Sequence, residues 1–177
     1  MLGELLQKKK NIILDKWRED ILASYPPDSG LFLKNQKNQF ANPVGFTIEK
    51  ETAEIIQTLF DGGDIAALHV SLDRLIRIRS VQQFTPSQAT LFLFQLKQII
   101  REVVTIDGTD DFQEMATLEK QIDRLALMAF DIYSRCREQI YDLRFKEMKA
   151  RAFRIMKDSD LISLDFKQEG NSPHENI

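Results

Sequence analysis

Apolar residues recur at steps of three and four along almost the whole chain, the spacing of helices that bury one face. The first stripe, Leu5, Leu6, Ile13, Trp17 and Ile21, predicts a helix over about residues 2–24. Pro26-Pro27-Asp28-Ser29-Gly30 stops it, since prolines remove backbone donors and glycine accepts a turn. Residues 31–41 are polar in the middle and predict irregular chain or a single helical turn. Asn42-Pro43 reads as an N-cap followed by proline at the first helical position. That helix reaches Phe60 and ends at Asp61-Gly62-Gly63. Asp64 caps a third helix with Ile65, Leu68, Leu72, Leu75 and Ile76 on one face. Thr85-Pro86-Ser87-Gln88 is a capping-box pattern that opens a fourth, to about residue 105. Its inward set is Ala89, Phe92, Leu93, Leu96, Ile99, Ile100 and Val103. Leu91 and Phe94 add apolar residues on the other side, which predicts a place near the centre of the fold. Asp107-Gly108-Thr109-Asp110 breaks the chain again.

The last helix is the longest. Met115, Leu118, Ile122, Leu125, Ala129, Ile132 and Cys136 form a 3–4 seam. The pattern then slips by an extra step of four to Ile140 and continues through Leu143. A second phase, Phe145, Met148, Ala152 and Ile155, carries it towards Lys157. No proline or glycine interrupts residues 112–158. At ~1.5 Å per residue, about 45 residues span more than about 60 Å, longer than a small domain is wide. Part of the helix is therefore expected to project and to pair with a second copy. The expected homodimer helix carries Ile132, Cys136, Ile140, Leu143, Met148, Ala152 and Ile155. The fold class is all-α, a helical bundle with a long C-terminal helix over residues 1–157. Residues 158–177 form an acidic tail that is expected to be disordered.

Composition narrows the setting. With 24 Lys+Arg against 27 Asp+Glu in 177 residues, the net charge is −3, which argues against general nucleic-acid binding. Cys136 is the one cysteine, so a disulfide framework is excluded within the chain and a reducing cytoplasm is expected. No apolar run approaches the roughly 18 residues of a membrane span, and the charged start lacks a signal peptide's apolar stretch. A soluble, cytoplasmic, single-domain protein is expected.

No catalytic constellation emerges. Gly62-Gly63 follows a helix and has no lysine after it, so it is no phosphate loop. Two histidines and one cysteine are too few for a structural zinc site. The expectation is no enzyme, no metal and no cofactor. His69, bordering an inward face, opens an alternative reading as a haem or small-molecule ligand in a helical fold, against the blander one of a core histidine. Asp73 and Arg77, four apart, can pair on an outer face. Arg79 falls on the inner stripe after Leu72, Leu75 and Ile76, and an inward arginine needs a carboxylate or a ligand anion. Asp123 and Asp131 are the expected partners, and Lys97 and Arg101, one turn apart, can join the same pocket. Between residues 144 and 157, Arg144, Lys146, Lys149, Arg151, Arg154 and Lys157 stand against Glu147 alone. That stretch suits a helix end or a contact with a regulatory protein partner; nucleic acid and membrane are not expected as partners.

Several strings occur together in one order. They are Asn42-Pro43-Val44-Gly45, the run from Arg77-Ile78-Arg79-Ser80 through Gln83-Phe84-Thr85-Pro86 to Ser87-Gln88-Ala89, and Leu96-Lys97 with Ile100-Arg101-Glu102. Ile122-Asp123-Arg124-Leu125-Ala126, Ala129-Phe130-Asp131-Ile132-Tyr133 and Cys136-Arg137-Glu138 follow. Over about residues 5–157 the chain resembles the bacterial RsbT co-antagonist RsbRD N-terminal domain family. The resemblance implies an all-α, globin-like, non-haem sensory domain of stressosome type, dimeric, whose last helix leads to a STAS domain. Here only about 20 residues, an acidic stretch, follow Lys157, so a stand-alone input module for signal transduction is expected.

Overall fold

Six helices and one 3₁₀ turn make up the described part of this chain. The computed structural model describes residues 2–36, 38–82, 84–106 and 112–158. The helices are α1 (Leu2–Ala23), α2 (Pro27–Asn35), α3 (Pro43–Phe60), α4 (His69–Val81), α5 (Pro86–Ile106) and α6 (Phe112–Asp158). The 3₁₀ turn is Ile65–Leu68. Among the described residues there is no strand, so the architecture is all-α. The chain divides into two units, Met1–Gln139 and Ile140–Ile177. The expected break at residues 107–110 and the expected tail after residue 158 lie outside the described residues.

In the first unit α1 packs on α5 and α3, and α3 on α4. The buried set draws on every long helix: Ile13 and Trp17 from α1, Ile55 and Ile56 from α3, Leu72 and Ile76 from α4. Leu93, Leu96 and Ile100 of α5 join Ile122 and Leu125 of α6. Each such side chain stabilises the fold by about 1.5–3 kcal/mol relative to exposure. Trp17 is completely covered, and its ring stacks on Phe92 at 5.9 Å. Its one polar atom, Nε1, donates to the Phe92 carbonyl oxygen at 2.6 Å, so a large side chain enters the core with nothing left unpaired.

The junction between α2 and α3 explains the Asn42-Pro43-Val44-Gly45 string. Asn42 Oδ1 accepts the Gly45 N–H at 2.8 Å, the expected N-cap, with proline in the first turn. The same side chain turns its Nδ2 back to donate to the carbonyl oxygens of Leu33 (2.9 Å) and Gln36 (2.8 Å). One buried amide thus closes both the end of α2 and the start of α3. Gly45 is required by close approach, because a Cβ there would meet the Leu33 carbonyl oxygen at 2.7 Å. At the other end of α3, Gly62 takes a positive φ of 68°, open to glycine at no steric cost.

Four expectations need correction. The region read as irregular or a single turn contains α2, because Pro27 supplies the fixed φ that suits a first helical turn as well as ending α1. Asp64 caps only the 3₁₀ turn, by accepting from Ala66 N at 2.9 Å, and the α-helix proper starts at His69. Leu91 and Phe94 stay exposed, so α5 is buried on one side along its first turns. Ile132 and Cys136, assigned to the dimer helix, are buried in the first unit's own core, because the α6 seam that carries them is used up against the other helices. Ile140 is half-buried, and Leu143, Met148, Ala152 and Ile155 are exposed. Among the described residues, no helix is long and apolar enough to cross a membrane.

Replacing Asn42 by Ala removes the cap and strands two carbonyls, and is expected to lower stability by about 2 kcal/mol in urea unfolding. Gly45→Ala should lower it through the same joint, and a chain indifferent to both substitutions would contradict the account.

Candidate functional site

The α4 stripe of Leu72, Leu75 and Ile76 carries Arg79 inward, as its spacing predicts. Arg79 is 4% exposed. It sits in the last turn of α4, where a cation suits the negative end of the helix dipole. The end of α1 and the first turn of α5 meet it there. Arg79 Nη2 donates to Ser24 Oγ at 3.0 Å and to the Gln88 carbonyl oxygen at 3.1 Å. Its guanidinium carbon lies 4.3 Å from the centre of the Phe84 ring, 5.4 Å from Phe92 and 5.6 Å from Tyr25. Nε and Nη1 are buried and have no hydrogen-bond partner among the described residues.

The electrostatics follow from that enclosure. Burial pulls the Arg79 guanidinium below its ordinary value, and the nearby Tyr25 phenol works against the fall. Burial also pushes the Tyr25 phenol above its ordinary value of 10.0, with Arg79 opposing the rise. Among the described residues no carboxylate pairs with Arg79. The expected partners are engaged or placed elsewhere. Asp123 accepts from Lys97 Nζ at 2.8 Å, and Asp131 is exposed on α6. Arg101 is held by Glu119, one turn along the same α5–α6 seam. Lys97 and Arg101 therefore belong to a surface ladder that sets helix register, away from the Arg79 pocket. His69 is exposed at the start of α4 and lines none of the cavities described below. The Asp73–Arg77 pair forms as expected, at 2.6 Å.

Space opens around Arg79. A cleft of about 820 Å³ runs between the α1–α2 corner, α2 and the residues just before α5. Tyr25, Phe32, Leu33, Val44 and Phe84 give it apolar walls, with Gln82, Gln88, Ser24 and Asp28 as polar points. That volume lies within the usual range for small-molecule sites. A second cavity of about 280 Å³ is lined by Arg79 itself and shares Ser24, Phe84 and Gln88 with the cleft. On the inner side, Arg79 and Tyr25 border a void of about 10 Å³, water-sized at most.

Sequence reasoning missed the aromatic enclosure. Its signals were present: Tyr25 stands four residues after Ile21 on the α1 stripe, and Phe84 directly precedes the Thr85 cap. The Thr85–Gln88 box itself forms, with Thr85 N–H on Gln88 Oε1 at 3.0 Å and Gln88 N–H on Thr85 Oγ1 at 3.3 Å. It fixes the segment that lays Phe84 over the cation. Helix α6 grips the same segment: Tyr133 donates its hydroxyl to the Phe84 carbonyl oxygen at 2.6 Å, and Arg137 Nη1 donates to the Ser80 carbonyl oxygen at 3.1 Å.

A separate surface feature lies on the α5–α6 pair. The ladder Arg101–Glu119 and Lys97–Asp123 runs antiparallel, and beyond it Leu91 and Phe94 stand on α5 and Leu127 and Phe130 on α6. All four are large, apolar and exposed. Exposed apolar patches of that kind mark contact surfaces.

Two measurements probe these assignments. Arg79→Ala opens a hole among three rings and is expected to cost about 2–3 kcal/mol in thermal or urea unfolding. Arg79→Met fills it and removes the unpaired donors, so its stability should match or exceed the parent; a Met variant as weak as the Ala one would make the guanidinium a structural strut. The Glu119 carboxyl is held below its ordinary value of 4.5, first by the hydrogen bond from Arg101, against the opposing effect of burial. A depressed folded value contributes stability above the unfolded value and loses it as pH falls through the folded one. The Tm difference between the parent and Glu119→Gln should therefore be small but present at pH 7 and close below about pH 4.

The sequence model of the RsbT co-antagonist protein RsbRD N-terminal domain matches residues 12–148. No curated protein and no solved structure shows a significant match to the chain. The matched stretch runs from within α1 through the Arg79 pocket and into α6. The chain belongs to the RsbT co-antagonist protein RsbRD N-terminal domain family.

Proposed function

We propose that this chain is a non-enzymatic signalling module, related to stressosome input domains, that works as a cytoplasmic homodimer. It takes up a ligand or regulatory protein partner and reports through α6. One observation carries the reading: α6 gives one face to the core and keeps large apolar residues on another. Leu118, Ile122, Leu125 and Ala129 are buried, whereas Leu127 and Phe130 are exposed. In the second unit, Phe145, Met148 and Ile155 are exposed at 3–4 spacing, the pattern of a helix that pairs with another. A second copy is the occupant that satisfies such a self-complementary stripe by symmetry. The basic residues from Arg144 to Lys157 are exposed beside it and suit an acidic regulatory partner.

Native mass spectrometry and light scattering on the full chain are expected to give a mass of two chains. Phe94→Glu combined with Leu127→Glu, and separately Met148→Glu combined with Ile155→Glu, should weaken the dimer at least about tenfold while far-UV circular dichroism stays unchanged. A parent protein that is monomeric at high micromolar concentration sinks the dimeric reading.

A further inference from the structure

The cavities and the unfilled donors of Arg79 converge on one spot, and we propose that it binds a small monocarboxylate with a flat apolar body. The inference rests on the reading above that the first unit takes up a ligand, and it names the chemistry of that ligand. Arg79 has five N–H donors; Nη2 donates to Ser24 Oγ and to the Gln88 carbonyl oxygen, and the Tyr25 phenol lies close enough to interact with the guanidinium. The donors on Nε and Nη1 are buried with no hydrogen-bond partner among the described residues. Leaving such groups unmade costs more than the average hydrogen bond returns, so a residue of this kind waits for an acceptor. A carboxylate matches a guanidinium in charge and accepts here through single charge-assisted hydrogen bonds from Nε or Nη1, because both paired edges of the guanidinium include the engaged Nη2.

The surroundings narrow the ligand further. Ser24, Phe84 and Gln88 form the wall between the Arg79 cavity and the larger cleft, so the two spaces adjoin at these side chains. In the cleft the walls are Tyr25, Phe32 and Val44, which favour an aromatic or otherwise flat body. Asp28 on the cleft wall and Asp20 on the smaller cavity disfavour a second negative charge, which selects a monoanion over a dicarboxylate. Gln82 lines the cleft, and its Oε1 is buried without a hydrogen-bond partner among the described residues. It asks for a donor, so a hydroxyl on the far side of the body improves the fit. Phe84 is the part that must yield, because its ring lies closest over the guanidinium.

The probes are 2-naphthoate, its neutral amide and 6-hydroxy-2-naphthoate, titrated calorimetrically into the full-length protein and into Arg79→Met. The acid is expected to bind at least about tenfold tighter than the amide, the value of one charge-assisted hydrogen bond. In Arg79→Met that preference should vanish while any residual affinity for the apolar body remains. Equal binding of acid and amide, an acid preference that survives in Arg79→Met, or no binding of the acid at 10 mM each overturns the site. Should Arg79→Met fail to fold, the ¹⁵Nε–¹H signal of Arg79 in the parent serves instead. A shift with the acid and none with the amide supports the site; no shift with either overturns it. Oligomeric state measured in the same samples separates the two claims. A dimer that ignores the acid removes the carboxylate site and keeps the signalling module, and a monomer that binds it does the reverse.

Discussion

The first unit is organised around a charge that has no counter-charge among the described residues. Transferring a guanidinium out of water costs several kcal/mol unless something replaces the lost solvent. Here the replacements are partial: the dipole of the helix that carries Arg79, one hydroxyl, one carbonyl and three ring faces. The hydroxyl, carbonyl and rings come from three stretches of chain. Ser24 and Tyr25 follow α1, Phe84 precedes α5, and Gln88 and Phe92 lie within it. The meeting point of α1, α4 and α5 is therefore set by a requirement to surround one cation. Trp17 extends this order inward, because the ring it stacks on, Phe92, is one of the three that face Arg79.

Other charges in the fold are handled in the ordinary way, which makes the contrast informative. Glu51 is buried on α3, yet Arg74 reaches it at 2.7 Å and keeps its own side chain half in water. Lys97 and Arg101 meet carboxylates at a partly exposed seam, where pairs are worth little in energy but fix register. A fold able to supply Glu51, Asp123 and Glu119 with partners leaves Arg79 without a carboxylate among the described residues. That difference points to the site rather than to packing.

Much of this was legible in local sequence. Asn42 with Gly45 three residues on, Thr85 with Gln88, and Asp73 with Arg77 all act within one turn, and local rules describe them well. The inward turn of Arg79 followed from its place after Leu72, Leu75 and Ile76. What stayed hidden depends on which helices lie side by side. Arg79 sits at the α1–α5 end of α4, while Asp123 lies opposite Lys97 on α5, so a partner chosen by charge alone was the wrong one. His69 misled for a related reason, since the short 3₁₀ turn before it resets the helical phase and turns it outward. Ile132 and Cys136 share a periodicity with residues beyond them, and periodicity does not distinguish a seam filled by the same molecule from one filled by a twin.

Tyr133 and Arg137 have a consequence beyond fastening. They hold the carbonyl oxygens of Phe84, whose ring covers Arg79, and of Ser80 beside it. Any event that shifts these two residues shifts the hydrogen-bonding partners of α6, and any force on α6 is felt by them. Coupling of this kind is reciprocal by thermodynamic necessity: whatever factor an occupant of the pocket applies to α6's equilibrium, a clamp on α6 applies to the affinity of the pocket.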